Sequence, residues 1–343
     1  MLMKNRLFRM ALGLISSLSI IPFASCYTPQ NQDIPPNLPV PPVFQSIHSI
    51  ESLVFGMPEI FQSSYSCISH TATGAAFTLD AKLPSTPNTM TIYRIVPPAV
   101  NYTYATRLAK QLGFTSEPTQ TSLVGNLKSF DFVENMRSLS IMSDGSVEYI
   151  DNNIKELPAV SLSDSESINF ARDWLEAISL HPKNILRFVT YPVSIVGSQI
   201  IVGSTVPSRG YQLGVGVDLI LGVDGYELAG MGASVWVGGD GRVFRASIKI
   251  LELAPYTTAK IKKPKDAVSL FQTYLKNPAY FLHESPECLV DYVWGNMTAS
   301  DITIKYFCMV SLDNTQPIYA QPIYVLEGGG SSPFYGRVDG LAR

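Results

Sequence analysis

Residues 224–253 read DGYELAGMGASVWVGGDGRVFRASIKILEL, and this stretch decides the fold. Apolar residues alternate with other residues on both sides of the segment Gly238-Gly239-Asp240-Gly241. The apolar positions are Ala233, Val235, Val237, Phe244, Ala246, Ile248 and Ile250. A period of two predicts two antiparallel strands with one buried face and one solvated face. The glycine-rich centre accepts positive φ, as a short hairpin turn requires.

Helical patterns lie on both sides of this hairpin. Residues 101–112 carry an apolar stripe and precede Gly113, a residue typical of helix ends. Ser163 and Glu166 form a capping box that begins a second helix. Pro264 begins a third, which runs to about residue 276. Other segments predict strands at 76–79, 90–96, 129–133, 137–142, 146–150, 186–191, 193–202, 211–221, 289–294, 303–312 and 318–326.

A helix followed by antiparallel strands thus occurs about three times along the chain. We predict an α+β fold, rich in strands, built from repeated units of one helix packed on a twisted antiparallel sheet. The 343 residues suffice for about two domains. We place an N-terminal α+β domain at 45–158 and a C-terminal α+β domain with two helix-plus-sheet units at 159–328. Residues 329–343 are predicted to form a loose tail.

The first 25 residues have the parts of a secretory signal peptide. Lys4, Arg6 and Arg9 precede a mostly apolar segment that is too short for an ordinary membrane span. Small residues before Cys26 resemble a bacterial lipoprotein processing site, which predicts a lipid on Cys26 and an extracytoplasmic, membrane-anchored location. The alternative is an ordinary signal peptide, with Cys26 an incidental thiol. Residues 26–44 are rich in Pro, Asn and Gln and predict a disordered tether.

The charge of the chain argues against nucleic acid as a partner. The 25 Lys and Arg residues are outnumbered by 28 Asp and Glu residues, and the net charge is −3. Nucleic-acid binding requires clustered Lys and Arg. The densest basic segment, 260–265, is interpreted as a solvated approach to the third helix.

Three short stretches resemble PepSY-type domains and the related YycH/YycI-type extracytoplasmic regulatory proteins, as in uncharacterised bacterial lipoproteins. They are residues 93–98 with the helix that follows, residues 240–256, and residues 319–328. The resemblance covers about residues 90–328 and brings no catalytic residue with it. It implies a binding or regulatory module that faces the cell envelope and contacts a sensor kinase or a protease.

The sequence contains no local signature of a metal, cofactor or catalytic site. No nucleophile elbow or phosphate-binding loop occurs. Four histidines stand in no zinc-binding spacing: His48, His70, His181 and His283. We therefore predict no catalytic residue, no cofactor and no metal.

An exported protein can form disulfide bonds. If residues 289–294 pair with 303–310, Cys288 and Cys308 approach each other, and a bond between them becomes possible. Cys67 would then remain as a buried thiol.

Two functions fit these observations. The first is a lipid-anchored, non-catalytic module that binds another envelope protein, for which exposed strand edges are suited. The second is an envelope hydrolase or small-ligand-binding protein whose pocket is built from dispersed residues. Candidate lining residues for such a pocket are Tyr211, Trp236, His283, Asp291 and Trp294. We favour the first because the sequence contains no catalytic constellation.

Overall fold

A computed structural model of the chain describes residues 77–96, 98–122, 128–153, 162–196, 199–202, 211–276, 288–291, 297–308, 319–330, 334–340 and 342. All described residues belong to the unit Pro39–Arg343. The predicted signal peptide, the lipidation site Cys26 and the tether lie outside the described residues.

Nine of the described strands form one antiparallel sheet, called sheet 1 here, with strands numbered along the chain. In order across the sheet they are β3 (Thr119–Ser122), β4 (Lys128–Glu134), β5 (Arg137–Met142), β6 (Val147–Asp151), β11 (Val243–Lys249), β10 (Tyr226–Gly238), β9 (Tyr211–Val223), β7 (Ile185–Val196) and β8 (Gln199–Val202). The pairing of β6 with β11 crosses the predicted domain boundary at 158–159, so the two predicted domains share this sheet.

The other seven described strands form sheet 2: β1 (Phe77–Leu79), β2 (Thr89–Val96), β12 (Glu252–Lys260), β13 (Cys288–Asp291), β14 (Met297–Cys308), β15 (Tyr319–Gly330) and β16 (Phe334–Asp339). The path β12-β2-β15-β14 is antiparallel throughout. β16 lies between β15 and β13, and β1 runs parallel to β14.

β10 joins the two sheets. Its Leu228 and Ala229 pair with β14, whereas the residues from Gly232 onward pair with β9 and β11. Gly230 lies between these two parts at a φ of +86°, and a Cβ there would lie 2.6 Å from the backbone oxygen of Cys308. Only glycine accepts both this φ and this approach, so Gly230 allows one strand to leave one sheet and enter the other.

The structure contains the three helices that the sequence predicts: α1 (Tyr102–Gln111), α2 (Asp164–Ala177) and α3 (Pro264–Lys276). The capping box predicted for α2 is present in full, with Ser163 and Glu166 each bonded to the other's backbone N–H. Buried residues of α1 and α2, such as Leu108 and Leu175, share one core with sheet 1. We call the face of sheet 1 that they cover the inner face, and the opposite face the outer face. α3 contacts strands of sheet 2.

The hairpin of residues 224–253 is confirmed, but one of its faces differs from the prediction. A bulge beside Trp236 and Val237 shifts the register, so that Val243 instead of Phe244 lies on the inner face with Ala246. Phe244 packs against Trp236 on the outer face, with Val193 and Leu213. The predicted solvated face is therefore partly apolar and buried at this end.

Two further predictions are wrong at the C-terminal end. Residues 334–339 of the predicted loose tail form β16, which is hydrogen-bonded between two other strands. Cys308 is a free, buried thiol, and β13 pairs with β16 rather than with β14, so the pairing assumed for a Cys288–Cys308 bond is not formed. β12 was not predicted from the sequence as a separate strand. No described helix is long and apolar enough to cross a membrane.

Candidate binding face

A continuous row of polar side chains crosses the outer face of sheet 1. Each member is the cross-strand neighbour of the next, and each alternates with inner-face core residues on its own strand. We call this set the outer row; it consists of Asp218, Ser234, Ser247, Glu148, Ser140 and Asp131. At the open edge of the sheet, Thr119 on β3 continues the row. α1 and α2 lie on the inner face and α3 on sheet 2, so no described helix covers the row.

One end of the outer row is a closed cluster around Tyr191 of β7. The Tyr191 hydroxyl donates to Asp218 Oδ1 at 3.0 Å and lies 3.0 Å from the Ser234 hydroxyl. The indole Nε1–H of Trp236 donates to the same phenol oxygen at 3.3 Å. Tyr191 therefore ties three strands together through one oxygen atom.

Gly216 of β9 positions the ring of Tyr191. Gly216 is the cross-strand neighbour of both Tyr191 and Trp236. A Cβ at this position would lie 2.1 Å from Cε2 of Tyr191, so the ring lies directly on the backbone of β9. Any larger residue would move the ring away from its hydrogen-bond partners.

Burial shifts the ionisation of this cluster. Asp218 is buried, and burial raises its pKa despite opposing hydrogen bonds from Ser234 and Tyr191. Burial and the neighbouring Asp218 carboxyl raise the pKa of Tyr191 well above its ordinary value. Tyr191 therefore stays protonated at neutral pH, and its single proton is committed to Asp218.

The rest of the outer row is partly exposed. Glu148 lies between Ser247 and Ser140, and all three side chains are partly open to solvent. Asp131 accepts hydrogen bonds from Ser140 at 2.7 Å and from Ser129 at 2.8 Å, which fixes its carboxylate. This part offers carboxylate and hydroxyl oxygens at a spacing of about 4.8 Å, the distance between neighbouring strands.

A cation borders the row at the aromatic end. The guanidinium of Arg245 lies 4.6 Å from the centroid of the Trp236 ring, in cation–π contact. Arg245 is exposed, whereas Trp236 is buried. The outer face is thus closed at Tyr191 and Trp236 and open toward β3, an arrangement suited to binding an extended polar segment.

The predicted pocket is not brought together by the described residues. Of its candidate lining residues, Trp236 alone has a described side chain; those of Tyr211, His283, Asp291 and Trp294 lie outside the described residues. Sequence analysis missed Tyr191, Ser234 and Glu148. Their polar positions in alternating strands are visible in the sequence, but only the pairing of strands that are distant in sequence places them on one face.

Within the described part of the chain, no three His, Cys, Asp or Glu side chains lie close enough together to hold a metal ion. Cys308 is buried, and burial raises the pKa of its thiol far above the usual range, which makes it a poor nucleophile and ligand.

Comparisons with known proteins assign no family to the chain. No family model matches it, and no curated protein is similar to it. It is similar to an uncharacterized protein from Eubacterium rectale ATCC 33656, whose crystal structure was determined at 1.45 Å resolution. The TM-score is 0.47 at 12% sequence identity, over 76% of this chain and 87% of that one. A TM-score at this level supports no inference about function.

Proposed function

We propose that the protein is a lipid-anchored, extracytoplasmic binding or regulatory module that acts by contact with another envelope protein and is not a catalyst. The observation that carries this proposal is the outer row, a line of polar side chains that spans six strands of one sheet and is partly exposed from Ser234 to Asp131. The inner face of the same strands is packed with core residues. A broad, preformed and open face is suited to contact with a macromolecule.

The charge of the open part defines the partner. Asp131 and Glu148 are carboxylates in the row, and the exposed cation Arg245 is stacked on Trp236. Complementary charge steers association and fixes the register of a contact. We therefore expect a partner segment with lysine or arginine side chains, on a sensor kinase or a protease of the envelope.

Charge reversal tests this proposal. Glu148→Lys should abolish the capture of the partner by crosslinking in native membranes, because a cation then faces the partner's cations. Asp173→Lys is the matched control, since it makes the same change of charge on the exposed side of α2. Equal capture by both variants would contradict the use of the outer face.

The anchor needs a separate test. Cys26→Ala should release the protein from membranes and lower capture, because the partner and the module no longer share one surface. Membrane retention equal to that of the wild type would show that Cys26 carries no anchor. The outer-face proposal would survive that result.

We also infer that the fold consists of repeated helix-plus-sheet units. In support, α1 packs on β4, α2 packs on β7, β9, β10 and β11, and α3 packs on β13 and β16. Each helix therefore covers its own set of strands.

A further inference from the structure

β3 is an open edge of sheet 1. Within the described part of the chain, its residues Thr119–Ser122 pair only with β4. All four side chains, those of Thr119, Gln120, Thr121 and Ser122, are exposed and uncharged. Natural edge strands are commonly protected by lysine, proline or a bulge, and none of these occurs within β3.

The hydrogen-bonding direction of each β3 residue follows from the neighbouring hairpin. The Ser143 N–H donates to the Lys128 carbonyl at 2.7 Å, so the backbone groups of Lys128 point toward β5. Because these directions alternate along a strand, Ser129 and Asp131 point toward β3, where their partners are Thr121 and Thr119. The backbone N–H and C=O groups of Gln120 and Ser122 therefore point away from the sheet.

These outward groups fit a second β3 strand related by a two-fold axis. With the axis at Thr121, Gln120 of each copy pairs with Ser122 of the other, and four N–H···O=C bonds form. Thr121 then lies opposite itself in a non-hydrogen-bonded pair, and cross-strand threonine pairs are favourable. An axis at Gln120 would place Ser122 opposite Pro118, which has no N–H to donate.

We propose that two copies of the chain pair through β3 about a two-fold axis at Thr121, so that sheet 1 continues from one copy into the other. The absence of charge in β3 removes the repulsion that self-pairing of a charged edge would meet. The outer faces of the two copies then lie on the same side of one continuous sheet, with their outer rows offset by four residues along the strands. Four residues per copy bury far less than a standard interface, so the dimer is weak and depends on concentration.

Disulfide trapping tests the register. In purified Thr121→Cys protein, the two new Cβ atoms lie about 5 Å apart across the axis, close to what a disulfide requires. Thr119→Cys is the matched control, on the same face and equally exposed. In this register the two copies of residue 119 are offset by four residues, or about 13 Å, so no bond can form.

Under mild oxidation, Thr121→Cys should give a covalent dimer at least tenfold more abundant than Thr119→Cys or the wild type, which retains the four native cysteines. Adding Gln120→Pro, which removes only an outward N–H, should abolish the trapped dimer while far-ultraviolet circular dichroism stays unchanged. Equal trapping at 119 and 121, or trapping that survives Gln120→Pro, would overturn the proposal. Both experiments use purified protein without a partner, so their failure would leave the outer-face proposal intact.

Discussion

Gly216→Ala should destabilise the protein through a contact that no sequence pattern reveals. The added Cβ would lie 2.1 Å from Cε2 of Tyr191, whereas ordinary contact begins near 3.4 Å. The ring must therefore move by about 1.3 Å, which breaks hydrogen bonds that now measure 3.0 Å. Overpacking costs about 1–3 kcal/mol, and the lost hydrogen bonds add about 1 kcal/mol each. With two such hydrogen bonds lost, we expect a decrease of about 3–5 kcal/mol in the free energy of unfolding.

Equilibrium urea unfolding, followed by tryptophan fluorescence, measures this loss. Gly329→Ala is the matched control, because a Cβ there meets nothing within 4 Å and its change should be within about 0.5 kcal/mol. In a Tyr191→Ala background the Gly216→Ala penalty should largely disappear, since the clashing ring is gone. Equal stability of the two alanine variants, or a penalty that persists without the ring, would refute this account of the Tyr191 cluster.

Three other changes probe stability. Ser163→Ala should cost about 1 kcal/mol by removing the α2 cap, and Ser163→Thr should retain most of it, as thermal unfolding would show. Lys249→Met should cost about 3 kcal/mol in urea unfolding because it leaves the Asp144 carboxylate, 2.9 Å from the Lys249 ammonium, buried and unpaired. Burial raises the pKa of Asp144, but Lys249 and Ser146 lower it by more, so the pKa in the folded protein lies below its ordinary value of 3.8. The stabilisation that the Asp144–Lys249 pair gives the fold is therefore complete above about pH 4, and it is lost as pH falls through the pKa of Asp144 in the folded protein. Asp218 should show the opposite pH dependence, because burial raises its pKa. Its contribution to the free energy of unfolding declines as pH rises from 3.8 through its pKa in the folded protein. Asp218→Asn should remove that decline in a pH series of unfolding curves.

Local patterns predicted most of the regular structure. The alternation on both sides of Gly238 and Gly239 predicted the central hairpin, and the capping box at Ser163 predicted the start of α2. Both signals act between residues close in sequence, where side-chain periodicity and turn chemistry decide the conformation.

Features that depend on contacts between distant residues were not predictable. The bulge beside Trp236 moved Phe244 to the outer face, although strict alternation placed it with Ala246. β16 was missed because its pairing with β13 and β15 stabilises a segment whose composition is typical of a loose end.

The candidate site was missed for the same reason. Asp218 and Glu148 are isolated polar residues in their own strands, and the order β9-β10-β11-β6 alone brings them into one row. Because β11 and β6 are nearly one hundred residues apart, no local spacing records their pairing.

Photo-crosslinking in native membranes tests the central claim most directly. A photoreactive residue at Ser140 lies in the open part of the outer row, and one at Glu176 lies on the exposed side of α2. We expect one discrete adduct with another envelope protein from position 140 and none from position 176. An identical adduct pattern from both positions, or no adduct from position 140, would contradict it.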